Sequence, residues 1–253
     1  MCFELDSLPP IPVIAGAAVS HTDLELESAD GTAFAAFAAI PDEPGAVGVV
    51  VLPDVRGLYR FYEELARRFA ERGYAAVAID YFGRTAGSAK RDDGFDYPPH
   101  VAATAPPQIQ EDVTAAAAWL RSPAGGSRES LFTVGFCFGG RHSWLAAASH
   151  ELAGAIGFYG MPGERNGQPR PTQLASSLRA PLLALQAGDD GNITPELNAA
   201  FAAALTAARV EHELVVYDGA PHSFFDRKHE QFAAASADAW ERVLGFIAAH
   251  QHG

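Results

Sequence analysis

The chain has 253 residues, 48% hydrophobic and 19% charged, enough apolar material for one large domain or two small ones and too much for intrinsic disorder. Lys and Arg number 18 against 31 Asp and Glu, a formal net charge of −13, and the only lysines are Lys90 and Lys228. Such a surface repels nucleic acid and anionic membranes unless a basic patch gathers the cations, and none does.

Residues 1–20 are rich in Pro and small residues and read as an N-terminal arm on the surface. Leu24–Glu27 alternates, Asp30-Gly31 turns, and Phe34 and Phe37 follow, which reads as strand, turn, strand. Ala46–Leu52 is a continuous β-branched run, the pattern of a parallel strand buried on both faces. Tyr59–Arg72 has Phe61, Tyr62, Leu65 and Phe69 at helical spacing, with Gly73 as its stop. Ala75–Ile79 is the next strand. Residues 82–107 show no period and are read as a long loop of the kind that is often functional. A helix over Gln108–Leu120, a strand over Leu131–Phe136 and a helix over Gly139–Ser149 follow. Ala155–Phe158 is a strand, 161–178 a second irregular excursion, and Leu182–Gln186 a strand. Pro195–Ala208 reads as a helix, His212–Tyr217 as a strand and His229–His250 as a closing helix. With no linker and no repeat, residues 21–253 are expected to form one α/β domain. Its sheet is doubly wound and mostly parallel, with helices on both faces.

The sharpest local signal is Gly135-Phe136-Cys137-Phe138-Gly139-Gly140, between a predicted strand and a predicted helix. A nucleophile on such an elbow sits on a tight turn that flanking glycines accommodate. A helix N-terminus favours the thiolate, and the Phe138 amide would face the developing oxyanion. Taken alone the segment is equally a Gly-rich turn around a buried cysteine. An elbow nucleophile needs an acid and then a base, in that order along the chain. Ala187-Gly188-Asp189-Asp190-Gly191 supplies carboxylates at one strand end, and Asp218-Gly219-Ala220-Pro221-His222 supplies a histidine after the next. Cys137, Asp190 and His222 therefore fit nucleophile, orienter and base. Asp190 is preferred to Asp189, which could cap the following helix. His100, His142, His212 and His229 read as surface or packing residues. No HExxH or paired Cys/His spacing indicates a metal, and no cofactor is expected.

These blocks resemble dienelactone hydrolases (carboxymethylenebutenolidases) of the α/β-hydrolase superfamily. The resemblance extends to Leu52-Pro53-Asp54-Val55-Arg56-Gly57, Gly73–Val77 and Gly219–Phe224, and covers roughly residues 24–249 apart from the two excursions. It implies Cys137 as nucleophile, Asp190 and His222 as its partners, and the amides of Val55 and Phe138 as the oxyanion hole. It also puts Asp54 where the family has a thiol-activating glutamate, one methylene longer. The family's substrate-binding arginine, four positions after the histidine, is replaced by Asp226, whose charge would repel an anionic substrate. Arg56, Arg84 or Arg141 could bind the substrate instead, with solvated surface arginines as the simpler alternative.

The expected activity is hydrolysis of a lactone or activated ester through a thioester on Cys137. The alternatives are a general carboxylesterase or thioesterase, or a catalytically retired ligand-binding member. Phe136, Phe138, Phe224 and Phe225 either line an apolar pocket or belong to the core. The start, MCFELDSLPPIP, lacks a secretory pattern, no apolar run approaches the ~18 residues of a membrane span, and Cys2 and Cys137 are too few for a disulfide framework. A cytoplasmic monomer acting on a small molecule is expected, with no nucleic-acid or membrane partner.

Overall fold

The computed structural model describes residues 7–43, 45–92, 94–164 and 170–251; Cys2 lies outside them. Among the described residues eight strands form one sheet: β1 (Val19–Glu27), β2 (Ala33–Pro41), β3 (Val47–Leu52), β4 (Ala75–Ile79), β5 (Ser130–Phe136), β6 (Gly154–Phe158), β7 (Leu182–Asp189) and β8 (His212–Pro221). Their order is β1-β2-β4-β3-β5-β6-β7-β8. The β1–β2 hairpin joins the sheet antiparallel, and every pairing from β4 and β3 through β8 is parallel. This is the α/β-hydrolase fold. From β3 onward the carboxyl ends of the parallel strands share one edge, where open α/β sheets build their sites.

Strand periodicity explains the layers. In β3, Val47, Val49 and Val51 face one side of the sheet while Val50 and Leu52 face the other, and all are buried. The first side is covered by α1 (Arg60–Ala70) and α7 (Ala233–His250) through Phe61, Leu65, Phe69, Trp240 and Val243. The second is covered by α4 (Pro106–Arg121), α5 (Phe138–Ala146) and α6 (Pro195–Ala208) through Ile109, Val113, Trp144 and Phe201. Each such buried side chain contributes about 1.5–3 kcal/mol. The arm crosses the first face: Ile11 enters the core, and the Ile14 amide donates to the Glu71 carboxylate at 3.0 Å.

Two sequence expectations need correction. The stretch 82–107 is not unstructured, since it holds α2 (Gly83–Ala86), α3 (Tyr97–Ala103) and the start of α4. These helices are too short to show a period, and they are pinned by a charge. The buried Arg91 guanidinium donates to Asp80 Oδ2 at 2.7 Å and to the carbonyls of Ala86 and Gly87, and stacks on Phe95. The closing helix begins at Ala233 rather than His229, because residues 222–232 form turns behind β8.

Candidate active site

The turn between β5 and α5 is built by close approach. A Cβ on Gly135 would stand 2.1 Å from the Gly139 carbonyl oxygen, and one on Gly139 would stand 2.1 Å from that of Leu52. Only glycine permits this crossing. Thr133 and Ser143 hold strand to helix with a buried hydroxyl pair at 2.8 Å. Between them Cys137 takes φ 55° and ψ −109°, a conformation that costs a non-glycine residue about 1–3 kcal/mol. Its amide donates to the Phe158 carbonyl at 3.0 Å, and its half-buried side chain faces a cavity of about 420 Å³.

Asp190 follows β7 and is buried, whereas Asp189 is exposed. Burial opposes ionisation of Asp190. Hydrogen bonds from His222 and from the amides of Asn192 and Ile193 outweigh it and hold the carboxyl below its ordinary range. His222 follows β8, with Nδ1 2.5 Å from Asp190 Oδ2. The cap of α6 is Thr194, so neither aspartate is needed there. His222 lines the same cavity as Cys137, together with Val55 and Phe138. Five residues singled out in the sequence thus meet at one place.

Of the others singled out, Arg141 alone also lines this cavity. Asp54 is fully buried; its Oδ1 accepts from the Arg56 amide at 2.9 Å and its own amide donates to the Tyr62 hydroxyl. Arg56 is buried beside it and lies over Tyr59. Arg84 is not brought to the cavity. Its guanidinium is held by Asp30, Glu111 and Asp112, where the hairpin meets α4, because three carboxylates converge there. Arg141 does line the cavity, with only 2% exposure, and its Nη1 donates to the carbonyls of Met161 and Gly163. Asp226 does not threaten an anionic substrate as expected: it is fully buried and accepts a 2.6 Å hydrogen bond from the Tyr159 hydroxyl. Of the four phenylalanines, only Phe138 reaches the cavity; Phe136, Phe224 and Phe225 are core. His142 is buried against Phe138, and burial with the Arg141 charge beside it pushes its pKa down to about 3. Among the described residues no group of three metal-ligating side chains forms.

Sequence reasoning missed one cavity wall and several lining residues, Tyr159 among them. Tyr97, Pro98, Val101 and Ala102 of α3 form an apolar wall, and Tyr159 lines the floor beside His222. Tyr159 stands at the carboxyl end of β6, next to the elbow strand, and the strand-end rule that found Asp190 and His222 applies to it equally.

The dienelactone hydrolase family profile matches residues 34–251. A protein from Yersinia pestis provisionally named carboxymethylenebutenolidase is 31% identical over 229 residues, 87% of this chain and 85% of that one. One so named from Escherichia coli strain K12 is 33% identical over 205 residues, 78% of this chain and 74% of its own. A crystal structure of a provisionally identified dienelactone hydrolase from Klebsiella pneumoniae superposes with a TM-score of 0.81 at 27% identity, over 91% of this chain and 99% of that one. The dienelactone hydrolase-like promiscuous phosphotriesterase P91, from metagenomic libraries, shares the fold at 22% identity and TM-score 0.77, over 93% and 99% of the two chains. By profile, identity and fold, the chain belongs to the dienelactone hydrolase family.

Proposed function

We propose that this family member hydrolyses a small lactone or activated ester through a covalent thioester on Cys137. The observation that carries the reading is Cys137, on a left-handed elbow at the start of α5, facing one cavity with His222, whose Nδ1 lies 2.5 Å from Asp190. The Asp190 carboxylate takes the Nδ1 proton as its hydrogen bond and leaves Nε2 as the basic nitrogen. The Cys137 thiolate attacks the carbonyl carbon, forming an S–C bond, while the amides of Val55 and Phe138 receive the oxyanion. Collapse breaks the ring C–O bond, and the leaving enolate or alkoxide takes back from the His222 imidazolium the proton that the thiol gave up, which leaves His222 neutral. Water, deprotonated by His222, then adds to the thioester carbonyl, and collapse releases the acid and the thiolate. Asp54, where the family has its thiol-activating glutamate, also supports the turn that carries Val55 through its bond to the Arg56 amide. A reduced thiol suits the cytoplasm, where disulfides are rare.

Activity loss in Cys137→Ala, assayed by absorbance with cis- and trans-dienelactone beside p-nitrophenyl acetate, is the test. Dienelactone turnover abolished by the substitution supports the reading; equal rates in variant and wild type refute the cysteine mechanism. One observation favours a second reading, a carboxylesterase for neutral esters. The cavity's one cationic lining residue among those described is Arg141, nearly inaccessible and bonded to two backbone carbonyls. Turnover of p-nitrophenyl acetate without dienelactone would select that reading and retain Cys137.

A further inference from the structure

Successive strand ends present Cys137 after β5, Tyr159 after β6, Asp190 after β7 and His222 after β8. Three of the five described non-glycine residues with positive φ lie here: Cys137 at 55°, Tyr159 at 37° and Ser223 at 71°. Strain persists only where surrounding contacts over-determine it, and it gathers at functional positions. The contacts around Tyr159 are specific. Its ring centroid is 4.8 Å from that of the His222 imidazole, and its hydroxyl reaches Asp226 Oδ2 at 2.6 Å. Asp226 lies in the turn that begins with His222, and its Oδ1 accepts from the Arg227 amide at 2.5 Å.

The topology gives this bond a purpose. Among the described residues β8 is an edge strand, paired only with β7, so the turn carrying His222 has one neighbouring strand there. The Tyr159–Asp226 bond runs from the end of β6 past the end of β7 to that turn, tying the base to the strand beside the nucleophile's.

We propose that Tyr159 and Asp226 form a positioning pair that fixes the His222 ring between Asp190 and Cys137. The proposal rests on His222 acting as base in the mechanism above. The charge state of the pair is compatible with it. Burial, with Asp54 nearby, raises Asp226 to about 8 against the lowering effects of Tyr159, the Arg227 amide and His222. Below that pH the second carboxyl near His222 is largely neutral, and Asp190 is the charged partner of the imidazole.

The test compares Tyr159→Phe, Asp226→Ala and the double variant with wild type and Cys137→Ala. Thermal melts check folding, and Tyr159→Phe keeps the ring and its packing. Each single variant is expected to lower kcat about tenfold or more with KM little changed. Each also shifts the low-field proton signal of His222 Nδ1–H. The double is no worse than the poorer single, since both remove one bond. Wild-type kcat with an unmoved signal, losses that multiply in the double, or a rise in KM alone would overturn the pair. Full turnover by Cys137→Ala would instead overturn the cysteine mechanism, while the His222 signal still decides on the pair.

Discussion

Replacing Gly135 by alanine probes the elbow without touching any reacting group. The added Cβ would stand 2.1 Å from the Gly139 oxygen, 2.3 Å from its carbonyl carbon and 2.7 Å from the Gly140 nitrogen. The first of these is about 1.3 Å inside the 3.4 Å at which ordinary contact begins, and all three atoms are backbone, so no side chain can turn away. The first turn of α5 must therefore shift by on the order of 1 Å, a misplacement that costs about a hundredfold in rate. It is not free to shift cheaply, because Gly139 abuts the Leu52 carbonyl on its other side and Ser143 is bonded to Thr133. Overpacking of this kind destabilises by about 1–3 kcal/mol, and backbone contacts place it at the upper end. The assay is kcat/KM for p-nitrophenyl acetate beside a thermal melt. Gly245→Ala on α7 is the control: a Cβ there meets nothing within 4 Å, so unchanged activity and a gain of about 0.5–1 kcal/mol are expected. Gly135→Ala with wild-type melting and turnover would show that the elbow does not depend on this close approach.

Three further outcomes follow from the same contacts. Asp190→Asn keeps the volume but loses the charge that holds His222 Nδ1, and is expected to reduce kcat by about 10²–10⁴, measured by single-turnover acylation and deacylation. Arg91→Ala leaves the buried Asp80 carboxylate without its cation and frees the 82–105 excursion; a loss of about 3 kcal/mol and a rise in KM larger than the fall in kcat are expected in denaturant titration and steady-state kinetics. Asp226 titrates at 3.8 in the unfolded chain and about 8 in the fold, so the folded state binds the extra proton between these values and stability falls as pH rises from about 4 to about 8. Asp226→Asn should flatten that decline in melting temperature, whereas Asp190, lowered in the fold, contributes stability that is lost on acidification.

Much of the molecule was legible in the sequence because its signals are local. A doubly buried strand reads as an unbroken run such as Val47–Leu52, a helix as the spacing of Phe61, Leu65 and Phe69, and an elbow as glycines flanking Cys137. Chain order then pointed to Asp190 and His222, since the rule that parallel strands end at one edge needs no coordinates. What the chain could not show are contacts between segments far apart in sequence. Whether an arginine near a strand end faces the cavity depends on which carboxylates meet it, and Asp30, Glu111 and Asp112 take Arg84 away. The sign of Asp226's influence depended on burial: as a residue four after the histidine it read as a repelling charge, while the fold seals it under Tyr159. The apolar wall from α3 exists because Arg91 and Asp80 pin an excursion too short and irregular to carry a period. Periodicity and motif order record what each segment does with its own neighbours; the partners of charged and aromatic side chains are decided only when the sheet brings distant strand ends together.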